Sequence, residues 1–330
     1  MLNKKVLLGF SIGALFLYLT LRQIDFKSSW YYIQNASWLY IFVILFVYSA
    51  AFMVRSIRWK YLLAPLVQFP AKRLFSFLIL GFFMNNLLPL RLGELVRAHV
   101  TGQKTGVSRS GALATIVIER LFDGLSYITL FLITILFLPF PEWAKKSLFA
   151  ACIVFTGVLV FLFFLGRHQE LVAKVFPRLP FPEKITKKLQ YIFVNFASGL
   201  KILSDVRTVA KVYLLALVVW GIEGSVFYLV GQSFHMDLNY FQGVLVMIII
   251  GTGAILPTAP GYVGTVEFLG VTALSFLGVD KNQAFGYILT LHAIQLVVIT
   301  AWGIRSMIVE KLTLSELIRI EKSEAAPGGK

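Results

Sequence analysis

Nine apolar runs recur along this chain, at about 6–21, 38–57, 74–90, 112–138, 147–165, 210–231, 241–256, 265–277 and 284–304, with most charges gathered between them. Segments of this kind are stable in lipid as helices, which satisfy their own backbone polar groups. Nine of them in 330 residues leave almost nothing for a soluble core. Composition agrees: 58% of the residues are hydrophobic, 14% are charged and the mean hydropathy is +0.79. A water-facing surface cannot be covered with so few charges. The expected class is an all-α integral membrane protein.

A span needs roughly 20 residues, and the runs 74–90, 241–256 and 265–277 fall short of that. Basic residues indicate which of the others cross, because Lys and Arg collect on the cytoplasmic side. Take 6–21, 38–57, 112–138, 147–165, 210–231 and 284–304 as crossings, with both termini cytoplasmic. Then 25 of the 31 Lys and Arg lie inside, 5 lie outside and Arg120 falls within a span. The same bias explains the net charge of +15: loop cations meet anionic headgroups, and no nucleic-acid surface is implied. Lys4-Lys5 before the first run resembles a secretion signal, but no small-residue cleavage site precedes Arg22. The run is therefore expected to remain as the first span. Cys152 is the single cysteine, which excludes a disulfide within the chain.

In this layout 74–90 has basic loops on both sides and should enter from the cytoplasm and turn back. The stretch 241–277 is flanked by loops nearly free of Lys and Arg and should enter from outside. The expected fold is thus about six full spans plus two re-entrant helical hairpins. Their turns resemble each other: Leu87-Leu88-Pro89-Leu90-Arg91-Leu92-Gly93-Glu94 aligns with Ile255-Leu256-Pro257-Thr258-Ala259-Pro260-Gly261-Tyr262. Span, re-entrant turn and span then occur twice, at about 38–138 and 210–304, in opposite orientation. Gly/Pro-interrupted segments at matching places in two halves mark the midplane site of transporters. Chance likeness of two Leu-Pro turns is the competing explanation. One membrane domain, 1–315, is expected. Its connector, 166–211, is broken by Pro177, Pro180 and Pro182, and apolar spacing from Lys184 to Asp205 predicts an amphipathic helix there. A polar cytoplasmic tail, 316–330, is expected to fray.

Ionisable groups at membrane depth are costly, so each is a functional candidate. Arg91, Glu94 and Arg97 follow the first turn at helical spacing, two guanidiniums beside one carboxylate. They suit bidentate capture of a phosphate, or form a self-neutralising ion network. Asn85 and Asn86 offer amides to a ligand, or satisfy the backbone broken at Pro89. Glu119, Arg120 and Asp123 either line a cavity, with Arg120 facing a phosphate, or compensate one another. Arg55, Arg58, Trp59 and Lys60 read as interfacial anchors, with Arg58 a second candidate for a headgroup. Pro257, Pro260, Gly261 and Gly264 make a turn in any reading, as do Pro89 and Gly93 in the first half. Glu267 either caps the helix that follows or pairs with a charge, and His292 and Gln295 suit helix–helix hydrogen bonds. The four histidines are scattered, and no ATPase, hydrolase or zinc motif occurs, so no metal or cofactor is expected.

Four segments in order are familiar: Arg55-Ser56-Ile57-Arg58-Trp59; Asn85 through Pro89 to Glu94; Ile118-Glu119-Arg120-Leu121-Phe122-Asp123-Gly124; and Pro257 through Gly261 to Glu267. Together they resemble the lysylphosphatidylglycerol synthase transmembrane family, the flippase-like region of the multiple peptide resistance factor, over about residues 5–310. The soluble aminoacyl-transferase domain of the full synthases has no counterpart within these 330 residues, so the membrane part alone is expected. The resemblance implies movement of a lipid between leaflets, most simply one with an anionic phosphate headgroup. Arg58, Asn85, Asn86, Arg91, Arg97 and Arg120 are then candidates for the phosphate, and Glu94, Glu119, Asp123 and Glu267 for charge coupling. The alternatives are a membrane-embedded headgroup or glycosyl transferase and a lipid-presenting partner of a separate enzyme. Expected partners are membrane lipids, with a partner enzyme or a second copy left open. The expected location is the cytoplasmic membrane.

Overall fold

The computed structural model describes residues 4–88, 92–138, 142–167, 183–253 and 259–325. Among them are thirteen α-helices and no strand. They are α1 Lys4–Leu21, α2 Phe26–Gln34, α3 Trp38–Leu63, α4 Ala71–Leu87, α5 Gly93–Thr105, α6 Arg109–Ile135 and α7 Glu142–Arg167. After them come α8 Glu183–Gly199, α9 Val206–Ser233, α10 Tyr240–Gly253, α11 Thr265–Phe276, α12 Lys281–Glu310 and α13 Leu314–Ala325. Short 3-10 turns at Leu200–Ser204 and Pro260–Tyr262 complete the order.

Helices α3, α9 and α12, of 26, 28 and 30 residues, are long and apolar enough to cross a membrane. At about 1.5 Å per residue each exceeds the roughly 30 Å of a hydrocarbon core. Helices α1 and α2 make a fourth if taken as one broken span, bent by 87°. The bend has a local cause. Arg22 to Asp25 is polar, and the Asp25 carboxylate caps α2 by accepting from the N–H groups of Lys27 and Ser28. The expected crossings at 112–138 and 147–165 fall in α6 and α7, of 27 and 26 residues. Glu119, Arg120 and Asp123 make α6 too polar to qualify by apolar character alone.

The short runs form two helical hairpins. Helices α4 and α5 pack antiparallel, Gly81 lying against Gly93 and Arg97, and Asn85 against Gly93. A Cβ at Gly93 would sit 2.0 Å from the Gly81 carbonyl oxygen, so only glycine permits this approach. Helices α10 and α11 pair likewise, with Gly253 against Thr265 and Leu269, and Gly270 against Ile250.

Helix α3 runs antiparallel to α9 through the middle. Ser37 N–H donates to the Ser233 carbonyl at 2.8 Å near one end, and Arg55 meets Glu223 further along. Around this pair the packing recurs. The contacts α3–α4, α4–α5, α5–α6 and α3–α6 reappear as α9–α10, α10–α11, α11–α12 and α9–α12. The contacts α12–α4 and α9–α6 reappear as α6–α10 and α3–α12. The apolar interior includes Phe52, Trp59, Leu62, Phe77, Leu78 and Tyr287, all nearly inaccessible. The outer faces expose Phe42 and Phe46 of α3, Phe161 of α7 and Ile308 of α12, as lipid requires.

One expectation is corrected. The stretch 316–325, read as part of a fraying tail, is helical in α13. The Thr313 hydroxyl and the Glu316 carboxylate cap it reciprocally, and Leu317 is buried in the apolar core. Those bonds from the Thr313 N–H and hydroxyl hold the Glu316 carboxyl below its usual range.

Candidate functional site

Where α3, α5, α6 and α9 converge, four arginines meet four carboxylates. On α6, Glu119 takes both Arg97 nitrogens, Nη1 at 3.1 Å and Nη2 at 2.8 Å, a bidentate pair. Arg58 Nη1 lies 2.6 Å from Asp123 Oδ1 and Nη2 lies 3.5 Å from Glu119. Arg120 reaches Asp123 at 3.1 Å, Glu119 at 3.4 Å and Glu94 at 2.9 Å. Its contact with Glu94 is an ion pair and not an aligned hydrogen bond, since Nε lacks a hydrogen-bond partner. Arg55 donates to Glu223 at 2.9 Å, and Trp220 Nε1 donates to Asp123 at 2.9 Å.

Burial makes this pairing compulsory. An ion left single in low dielectric costs several kcal/mol, and Arg58 and Glu119 are fully buried. Aromatic faces cover the guanidiniums further, with Trp59 3.6 Å from Arg97 and Trp220 4.6 Å from Arg55. Fully ionised, these eight groups sum to zero charge. One pair stands apart: the Arg120 and Glu94 side chains are 34% and 30% exposed, while the other six stay at 7% or below. The network therefore presents its Arg120–Glu94 edge outward.

Of the candidates read from the sequence, the structure brings Arg58, Arg97, Arg120, Glu94, Glu119 and Asp123 into this one network. Pro89, Arg91 and Pro257 lie outside the described residues. Asn85 accepts from the Gly93 N–H at 2.9 Å and so ties the end of α4 to the start of α5. The Asn86 Nδ2 is buried and has no hydrogen-bond partner among the described residues. Arg55 and Arg58, read as interfacial anchors, are instead enclosed by protein and ion-paired. Sequence reasoning passed over Glu223 as a site residue. Its signal was available: a lone carboxylate within an apolar span requires a cation.

A second polar cluster holds the tip of the other hairpin. His292 Nδ1 lies 2.6 Å from Glu267 Oε1, and Nε2 lies 2.7 Å from the Gly261 carbonyl oxygen. The other Glu267 oxygen accepts from the Gly264 N–H at 2.6 Å, capping α11. Between these bonds the backbone takes positive φ at Gly261, Tyr262 and Gly264, of 64°, 60° and 87°. The turn rests on the first hairpin, since a Cβ at Gly261 would be 3.6 Å from the Asn86 carbonyl oxygen. Glu267 and His292 thus stand apart from the arginine network, and the turn they hold rests on α4 one helical turn from Phe82, whose ring lies 5.7 Å from the Arg120 guanidinium.

Among the described residues no three His, Cys, Asp or Glu side chains are grouped to hold a metal ion. A cavity of about 210 Å³ lies elsewhere, between α1, α11 and the start of α12, lined by Leu19, Thr20, Phe268 and Lys281 among others. It is a weaker candidate than the network, because the buried charges are not there.

Helical hairpins packed around an enclosed ion network within apolar helices define a multi-pass membrane protein. The chain matches the family described as Lysylphosphatidylglycerol synthase TM region over residues 6–303, and it belongs to that family. It is 29% identical over 238 residues to a UPF0104 membrane protein of Methanocaldococcus jannaschii, covering 71% of this chain and 97% of that one. A UPF0104 membrane protein of Methanothermobacter thermautotrophicus is 23% identical over 290 residues, covering 82% of this chain and 83% of the relative. No solved structure matches significantly.

Proposed function

We propose that this protein moves a lipid with an anionic phosphate headgroup between the leaflets of the cytoplasmic membrane. The observation that carries the reading is the meeting of the two hairpins. The Gly261 turn of one sits on Asn86 of the other, one helical turn from Phe82, whose ring lies 5.7 Å from Arg120, the arginine of the network that is partly exposed. A guanidinium held by a partly exposed carboxylate can exchange Glu94 for a phosphate without opening the buried core. Arg58 and Arg97 would then set the position of Arg120 through Glu119 and Asp123, and would not touch the lipid while the network stays closed.

The recurrent packing of α3–α6 and α9–α12 supports an inverted repeat. Its equivalent members α3 and α9 run antiparallel, as a two-fold axis in the membrane plane requires. Rocking of one half against the other would expose Arg120 to each leaflet in turn. Both termini would be cytoplasmic, as the distribution of Lys and Arg favours.

The test is leaflet exchange of fluorescent phosphatidylglycerol in vesicles containing the purified protein. Exchange should be faster than in protein-free vesicles. It should fall at least about tenfold in Arg120→Ala, because about 1.4 kcal/mol of lost headgroup binding already gives that factor. Glu94→Gln, which frees Arg120, should retain exchange. No acceleration for any anionic lipid, or full rates in Arg120→Ala, would sink the proposal.

A further inference from the structure

We infer that His292 and Glu267 form a proton-binding site whose occupancy sets the Gly261 turn, making the proton the coupling or gating ion of the lipid movement proposed above. The inference rests on that reading only for its consequence; the switch itself follows from geometry.

Both ring nitrogens of His292 contact oxygen at 2.6 and 2.7 Å. The Gly261 carbonyl has no proton to give, so Nε2 carries one. One more proton must lie between Nδ1 and Oε1, since two lone pairs do not approach to 2.6 Å. The other Glu267 oxygen is occupied by the Gly264 N–H. The closed arrangement therefore holds two protons on His292 and Glu267, and whichever atom the second formally sits on, the pair is neutral overall.

Removal of that second proton to water leaves a neutral imidazole, an ionised Glu267 and one hydrogen for two contacts. If the hydrogen stays on Nε2, the Nδ1 lone pair faces the carboxylate. If it moves to Nδ1, the Nε2 lone pair faces the Gly261 carbonyl. In either case one contact of the closed form breaks. Both lead to the same place, because Glu267 caps α11 through Gly264 and His292 holds Gly261 directly. The turn between them is poised to move, since Tyr262 is kept at φ 60°, which side chains other than glycine rarely adopt. Movement there is felt by Asn86 of α4, one helical turn from Phe82, whose ring lies 5.7 Å from the Arg120 guanidinium.

Among the described residues, the charges on the packed elements are engaged elsewhere or exposed. On the elements packed around α12, Arg73 of α4 holds Glu310, Arg55 of α3 holds Glu223 of α9, and Lys27 of α2 is exposed. Beside the first turn of α11, α1 presents Gly13 and Phe16, and the titratable group of α10 is Tyr240, bonded to the Gly221 carbonyl. Among the described residues the turn itself carries one titratable side chain, Tyr262. Glu119 and Asp123 are poorer proton sites, because neutralising either leaves the buried network with net positive charge.

Val263, 42% exposed, is a suitable reporter position. With Cys152→Ser to remove the native thiol, a spin label on Val263→Cys in nanodiscs should be immobilised at pH 5 and gain a mobile component towards pH 9, with a one-proton midpoint. The pH response should be lost in His292→Gln and in Glu267→Gln, the latter keeping an oxygen to cap Gly264. A spectrum unchanged from pH 5 to 9, or a response that persists in both variants, overturns the inference. Leaflet exchange on the same samples separates the two proposals. A pH-dependent turn without exchange leaves the switch and removes the transport reading. Exchange at a pH-independent rate with an invariant spectrum does the reverse.

Discussion

Glu119 is the residue on which the buried charges turn. It is inaccessible and receives Arg97 in two hydrogen bonds, with Arg58 and Arg120 at 3.5 and 3.4 Å. Glu119→Gln removes one negative charge from a set that sums to zero, and the surplus positive charge has no water to meet. The expected loss is about 3–5 kcal/mol of stability, read as a lowered unfolding midpoint in detergent. Adding Arg97→Met should restore much of it, because neutrality returns and the long apolar side chain keeps the packing against Trp59. An unchanged midpoint for the single variant would mean that the network is more hydrated than its burial implies. At this scale the sequence was half legible. It marked Arg97, Glu119, Arg120 and Asp123 as groups at unusual depth, and Arg58 as an anchor that could also meet a headgroup. Whether they served a ligand or one another stayed open, because the same residue types suit both. Arg55 and Arg58 were misjudged as anchors: their place near a span end is visible in sequence, but the enclosure of Arg55 by Phe52, Phe82 and Trp220 and the burial of Arg58 against Glu119 and Asp123 are not.

Among the elements, the hairpins depend on glycines at backbone contacts. Gly93→Ala would place a methyl group 2.0 Å from the Gly81 carbonyl oxygen, and neither backbone can yield without parting α4 from α5. A loss of about 1–3 kcal/mol is expected, together with a weakened Asn85–Gly93 bridge. Gly157→Ala is the matched control. That glycine lies inside α7, where an added methyl group would meet nothing within 4 Å, so alanine should be neutral or stabilise the helix by about 0.5–1 kcal/mol. Equal effects of the two substitutions on the thermal midpoint would remove the close contact as an explanation. Helix positions were largely readable because apolar runs announce them. The end of the chain was not: α13 is a polar segment stabilised by a Thr313–Glu316 cap and one buried leucine, too weak a pattern to stand out beside the spans.

For the whole molecule, the two-fold recurrence of helix contacts makes a topological prediction. The open end of the first hairpin, near Lys104, and that of the second, near Phe276, should lie on opposite sides of the membrane. In a Cys152→Ser background, Phe276→Cys, at a position 68% exposed, should react with an impermeant thiol reagent on intact cells. Lys104→Cys should react only after permeabilisation. Labelling of both from one side would mean that the hairpins enter from the same face, and the inverted repeat would fail. The charge bias and the likeness of the two Pro/Gly turns already pointed to this arrangement. The antiparallel pairing of α3 with α9 adds an independent reason for it.

The sequence by itself determined that this is a helical membrane protein, where most helices lie, and which family it belongs to. These follow from local quantities: apolar run length, the placement of Lys and Arg, and short motifs in order. Only the tertiary structure decided the partners. Arg58 meets Asp123 across 65 residues, Arg55 meets Glu223 across 168, and His292 meets Glu267 across 25. Each pairing depends on which faces of distant helices come together. Buried charges must find opposite charges, but nothing in their local sequence specifies which ones. The meeting of Gly261 with Asn86 is of the same kind. It exists because two hairpins, separately legible, end at one point.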